Sequence, residues 1–124
     1  VPTVATIRVG DQDLYVEMSG IDRLWSLHSR LEIPLVHVAG ARVDPEGVRA
    51  ASLTGLKAGG ARIPGHLTAG TFRQEGEWVF WDVHDADRSV VVDLHDERYA
   101  RLVVEVDDPT ATAAEINRAV DRTT

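Results

Sequence analysis

Apolar residues recur with a period of two through most of this chain, a spacing that predicts strands. In "TVATIRVGDQDLYVEMSG", Ile7 and Val9 alternate with Thr6 and Arg8. Leu14, Val16 and Met18 alternate in the same way with Tyr15 and Glu17, so two strands are expected around a turn at residues 10–13. The stretch "GIDRLWSLHSRL" fits two templates, because Leu24, Leu27 and Leu31 suit a helical stripe while Trp25, Leu27 and Leu31 suit a strand face. The favoured reading is a short helical turn over 21–27 and a strand near 29–33. Pro34, with no N–H to donate, should interrupt pairing before "HVAGARV" resumes as a strand.

Asp44-Pro45 has the form of a helix start, a carboxylate cap followed by proline at the first helical position, and predicts a short helix to about Leu53. Residues 54–66, "TGLKAGGARIPGH", hold four glycines and a proline and read as a mobile loop. Four strands are then expected in "LTAGTFRQ", "EWVFWDVH", "SVVVDLH" and "YARLVVEV". Asp108-Pro109 opens a C-terminal helix with Ala113, Ile116 and Val120 on its apolar face.

Alternation also predicts register, since a slip of one residue exchanges the two faces of a strand. A turn at Glu75-Gly76 pairs Phe72 with Val79 and Gly70 with Trp81. A turn over Asp85–Arg88 would pair His84 with Ser89, Val83 with Val90, Trp81 with Val92 and Val79 with Leu94. A third turn, at Asp96–Arg98, sets Leu94 against Ala100, Val92 against Leu102 and Val90 against Val104. The result is one continuous apolar face. The opposite face would carry Thr71 against Phe80, Arg73 against Trp78, Asp93 against Arg101 and His95 against Tyr99.

Length and composition narrow the class. A chain of 124 residues, 44% hydrophobic and 27% charged, has the size and content of one ordinary globular domain, spanning 1–124. Its net charge of −7 argues against nucleic acid and anionic membrane as partners, both of which reward surplus Lys and Arg. No apolar run is long enough to cross a bilayer, no basic-then-apolar leader opens the sequence, and cysteine is absent. A cytoplasmic location is the expectation.

Candidate chemistry is sparse. "WDVHDADRSVVVDLHDE" (81–97) holds two histidines flanked by aspartates, but the predicted hairpin sets them roughly 20 Å apart, far beyond shared coordination. A metal held by Asp82 and His84, with help from Asp85 and Asp87, is the competing reading. Asp in turns has a simpler explanation in side-chain to backbone hydrogen bonds, so no metal or other cofactor is expected. His28 and His37 read as edge or half-buried strand residues. No serine lies in a G-x-S-x-G setting, and the glycines around Lys57 and Arg62 lack a P-loop pattern, so no catalytic residue is assigned. Trp78 and Phe80, outward-facing beside Arg73, stand out instead. Aromatics with arginine concentrate binding energy at interfaces, which suggests a protein partner or a second copy of the chain. The alternative is that another part of the same chain covers them.

"RLEIPLVHV" (30–38), "GTFRQEGEWVFWDV" (70–83) and "YARLVVEVDDP" (99–109), with "GGARIPG" between the first two, together resemble a bacterial pleckstrin-homology-like (PH-like) family of small proteins. The resemblance spans roughly residues 7–120. It implies a mainly β PH-like barrel, two antiparallel sheets of about seven strands closed by a C-terminal α-helix, and no catalytic residues. In eukaryotic relatives of that superfold, basic residues around the first hairpin hold phosphoinositide headgroups. Residues 10–22 carry Asp11, Asp13, Glu17 and Asp22 and neither Lys nor Arg, which argues against that ligand. The expected function is a non-enzymatic interaction module, with Arg73, Trp78 and Phe80 as contacts. A metal- or ligand-dependent enzyme, or a ligand-binding protein using the barrel mouth, is the alternative.

Overall fold

The computed structural model describes residues 5–18, 30–63 and 67–123. The helical turn expected over 21–27 lies outside them. Among the described residues, nine strands and two helices follow in order: β1 (Ala5–Val9), β2 (Asp13–Met18), β3 (Arg30–Pro34), β4 (Val38–Arg42), α1 (Pro45–Ala51), β5 (Leu56–Ile63), β6 (Leu67–Gln74), β7 (Glu77–Val83), β8 (Ser89–Leu94), β9 (Arg101–Glu105) and α2 (Pro109–Thr123). β1, β2 and β3 form one antiparallel sheet, and a six-stranded sheet runs β4-β8-β9-β7-β6-β5. The molecule is mainly β with two sheets and a terminal helix. Among the described residues the sheets are not joined into a closed barrel, and the strands exceed the expected seven.

The first hairpin follows its alternation: Leu14, Val16 and Met18 are buried while Tyr15 and Glu17 stay half-exposed. On the outer side, Tyr15 lies between the guanidinium groups of Arg8 and Arg30, at 4.2 and 4.7 Å from its ring centroid. Pro34 ends β3 opposite Asp13, and a short 3-10 turn over Leu35–His37 leads into β4. Asp44 caps α1 by accepting the Gly47 N–H, with Pro45 in the first turn as its fixed φ allows.

β5 corrects the expectation of a mobile loop over Leu56–Ile63, while residues 64–66 of that stretch lie outside the described residues. Seven of its eight residues pair along β6, with a register shift between Lys57 and Gly59. The glycines serve close backbone approach. Gly60 and Gly70 face each other, both at φ +116°, and a Cβ on either would stand 2.0 Å from a carbonyl oxygen of the opposite strand. Only glycine accepts both that φ and that proximity.

The larger correction concerns β7 and β8. β6 and β7 pair as the sequence predicts, Phe72 with Val79 and Gly70 with Trp81, and β8 with β9 likewise, Val92 with Leu102 and Val90 with Val104. The expected β7–β8 hairpin, His84 with Ser89 through Val79 with Leu94, does not form. Residues Ala86–Arg88 make a 3-10 turn capped by Asp85, and β9 lies between β7 and β8, parallel to β7. Both faces of the inserted strand are apolar: Val103 on one, Leu102 and Val104 on the other. Strands buried on both faces carry no polar stripe to rank registers.

The six-stranded sheet accordingly has two apolar layers. Phe80, Val90, Val92, Leu102 and Val104 face the smaller sheet and α2, joining Leu14, Val16, Ile33 and Ile116 in the main core. Phe72, Val79, Trp81, Val83, Val91 and Val103 form a second cluster under Val48 of α1. Full burial of each such large side chain contributes about 1.5–3 kcal/mol. The apolar face of α2 is the expected one, with Ala113 and Ile116 buried and Val120 packed against the core. Asn117 adds a polar tie. Its side-chain amide accepts from the Ala41 N–H and donates to the Ala41 C=O, each at 2.9 Å, satisfying the outer edge of β4 as a strand would.

Candidate functional site

The patch expected from Arg73, Trp78 and Phe80 comes apart in the fold. Phe80 is fully buried, edge-on to Tyr99 at 5.7 Å between centroids, and the Tyr99 hydroxyl shares a buried 2.8 Å hydrogen bond with Thr71. The face read as outward is covered by the chain's own small sheet and helix, so Phe80 offers nothing to a partner. Trp78 lies near the strand end, packs partly against the same core and remains half-buried. Exposed Arg73 stacks on it, with the guanidinium carbon 4.9 Å from the ring centroid.

Beside Trp78 an open depression of about 310 Å³ runs to the loop after β8, lined by Glu77, Trp78, His95, Asp96, Glu97 and Arg98 among others. Three carboxylates stand there against the guanidinium of Arg98, with that of Arg73 stacked on the Trp78 ring. Asp96 has φ +59°, a left-handed position that Asp tolerates better than most residues, and this turns the loop sharply. Glu97 is anchored from below by His37, whose Nδ1 lies 2.6 Å from Glu97 Oε2. His95 Nδ1 lies 3.1 Å from Asp96 Oδ2.

His84 and Asp82 do not form one site. Asp82 is fully buried in the strand, paired with Ala69 and Val104, while His84 is exposed and lines a cleft between α1 and the sheet. That cleft, about 330 Å³, has a floor of Val48, Leu67 and Val83 and polar walls from Arg49, Ser52, Thr68 and Asp85. Arg49 bridges to Asp87 at 2.9 Å across the mouth, and that hydrogen bond holds its guanidinium above its ordinary pKa. Arg49 therefore stays charged at every working pH. Among the described residues no group of three or more His, Asp or Glu gathers where it could hold a metal.

Two polar devices escaped the sequence. Buried Glu105 accepts the backbone N–H groups of His84 and Asp85, at 2.8 and 2.6 Å, and so supports the turn that carries the chain over β9. Nothing in "YARLVVEV" marked Glu105 for that role. Asp93 meets Arg101 as expected, at 2.9 Å, and also Arg42 of β4 at 3.4 Å, a contact needing the β4–β8 ladder. His37 and His95 were read separately, yet their rings stand 6.1 Å apart. No sequence signal joins residues so distant in the chain.

No helix among the described residues is long and apolar enough to cross a membrane. Comparison of the chain with protein-family models, with curated proteins and with solved structures returned no match.

Proposed function

We propose that this domain is a non-enzymatic interaction module that takes a basic segment of a protein partner into the acidic depression beside Trp78. The observation that carries the reading is the pairing of a half-buried tryptophan wall with the carboxylates of Glu77, Asp96 and Glu97. An aromatic face and ionised carboxylates both attract a Lys or Arg side chain, and the charge balance of the rim disfavours an acidic segment. Arg73 occupies part of Trp78 and orients it.

The test is titration of a short Lys/Arg-rich peptide followed by tryptophan fluorescence and NMR shifts. Saturable binding is expected, weakened at least tenfold by a Glu77→Gln/Asp96→Asn double variant and by added salt. Both substituted residues are exposed, so the variant should fold. No saturation, or equal binding by wild type and variant, would defeat the reading. Native mass spectrometry across concentrations addresses the second occupant, another copy of this chain: a dimer lost in the double variant would replace the basic partner by self-association.

A second reading rests on the α1 cleft, whose volume and mixed lining suit a small molecule touching Arg49, Ser52 and Thr68. A co-purifying ligand displaced in Arg49→Ala would favour it. Kinship with PH-like domains also stays a proposal. The two sheets and the terminal helix support it, whereas the parallel β7–β9 pair departs from an all-antiparallel plan.

A further inference from the structure

The two ends of the six-stranded sheet are treated differently. The outer edge of β4 is tied to the Asn117 amide of α2. β5 is the other end strand, and among the described residues it pairs with β6 alone. At eight residues it is the longest end strand of either sheet, and no proline interrupts it. Gly59 and Gly60 are half-exposed. A glycine has only main chain to expose, so the backbone of β5 itself reaches solvent. From Gly59 to Ile63 the strand keeps one register against Thr71–Leu67, which leaves alternate N–H and C=O groups directed outward as a template for a further strand.

Charge along this edge runs against the rest of the molecule. Between Glu46 and Glu75 the sequence holds no Asp or Glu, yet Arg49, Lys57, Arg62 and Arg73 all fall there, in a chain whose net charge is −7. Arg49 is matched by Asp87. Arg62 meets no carboxylate among the described residues. Its guanidinium donates to the Gly55 carbonyl at 3.3 Å and to the Thr54 carbonyl, and its Cζ stands 4.7 Å from the Phe72 ring centroid. Those neutral partners orient the cation without cancelling its charge. Phe72 belongs to the cluster under α1, so Arg62 lies on that side of the sheet. Ile63 is next along the strand, faces the other way and is 45% exposed.

We propose that the β5 edge takes an extended segment of a protein partner as an added strand, one in which acidic and apolar residues alternate. Its backbone pairs along Gly59–Ile63. Its acidic positions face Arg62 on the α1 side, and its apolar positions cover Ile63 on the other. Cross-strand neighbours stand about 4.5–5.5 Å apart at Cβ, within reach of both contacts. Main-chain hydrogen bonds supply the affinity and the alternate side chains the selectivity. Gly59–Ile63 run beside Leu67–Thr71, away from Arg73 and the depression at Trp78, so this is a separate surface with a ligand of opposite charge.

The probe is a short, end-blocked peptide of alternating Glu and Val, titrated into the ¹⁵N-labelled protein. Saturable binding is expected, with shifts centred on the Gly59–Ile63 amides and slower hydrogen exchange there. Two further peptides, N-methylated at every Glu or at every Val, leave the protein untouched. In an added strand only one of these two sets of amides faces β5, so one methylated peptide should lose binding and the other keep it. Arg62→Gln should weaken binding about threefold, the scale of a partly exposed ion pair. No saturation at millimolar peptide, equal behaviour of the two methylated peptides, or shifts centred elsewhere would overturn the proposal. So would a concentration-dependent dimer in native mass spectrometry whose β5 amides are protected without peptide, since the edge would then belong to a second copy. The basic peptide described above reports on other amides, so either result can fail alone.

Discussion

Replacing Phe80 by alanine separates a core residue from a surface contact. In this fold the ring is fully buried in the main core, against Tyr99. Phe→Ala in a packed core costs about 3–5 kcal/mol, which includes the cavity left behind. Of that, about 0.5–1.5 kcal/mol belongs to the lost edge-on aromatic pair. Unfolding entropy near 2.1 cal/mol/K per residue gives roughly 0.26 kcal/mol/K for a chain of this length, so a loss of about 4 kcal/mol lowers Tm by about 15 °C. With a urea m-value near 2 kcal/mol/M, the unfolding midpoint falls by about 2 M while m itself holds. Urea unfolding of wild type, Phe80→Ala and Arg73→Ala by far-UV circular dichroism makes the comparison. Arg73→Ala, an exposed change, should stay within about 0.5 kcal/mol. A Phe80→Ala loss below about 1 kcal/mol would refute the burial of that face and return Phe80 to an exposed patch.

Gly60→Ala should destabilise by at least about 1–3 kcal/mol from its positive φ alone, with the clash on Ala69 O in addition, and hydrogen exchange should show β5 amides opening first. Glu105→Ala leaves the His84 and Asp85 N–H groups without their acceptor, a loss of about 2 kcal/mol in chemical unfolding, whereas Glu105→Gln retains an acceptor oxygen and should recover much of it. Asp93→Asn weakens a partly exposed contact with two arginines, so the cost should stay under about 1 kcal/mol and shrink further in 1 M NaCl. Asn117→Ala unpairs both backbone groups of Ala41 and should cost about 1–3 kcal/mol, with faster exchange of the Ala41 amide as the local readout.

Local chemistry was legible in the sequence wherever a residue's neighbours are close in the chain. Asp44-Pro45 and Asp108-Pro109 mark helix starts because capping and proline's fixed φ act within one turn. The first hairpin turns where predicted, and the β6–β7 and β8–β9 hairpins have their predicted registers because a tight turn and alternation together leave one pairing. The Asp93–Arg101 contact came with the last of these. Tertiary structure decided what those rules could not reach. Strand β7 is apolar on both sides, so alternation could not tell that Phe80 faces a second sheet, nor that β9 would displace β8 as its neighbour. The glycines of β5 signal backbone freedom in a loop and close approach in a strand alike, and only the partner strand settles which. The His37–His95 pair exists because β4 and β8 align segments nearly sixty residues apart, and the depression at Trp78 because the loop after β8 is tied to the start of β7 by the Ala100 N–H on the Trp78 carbonyl, both juxtapositions of strands buried in one sheet.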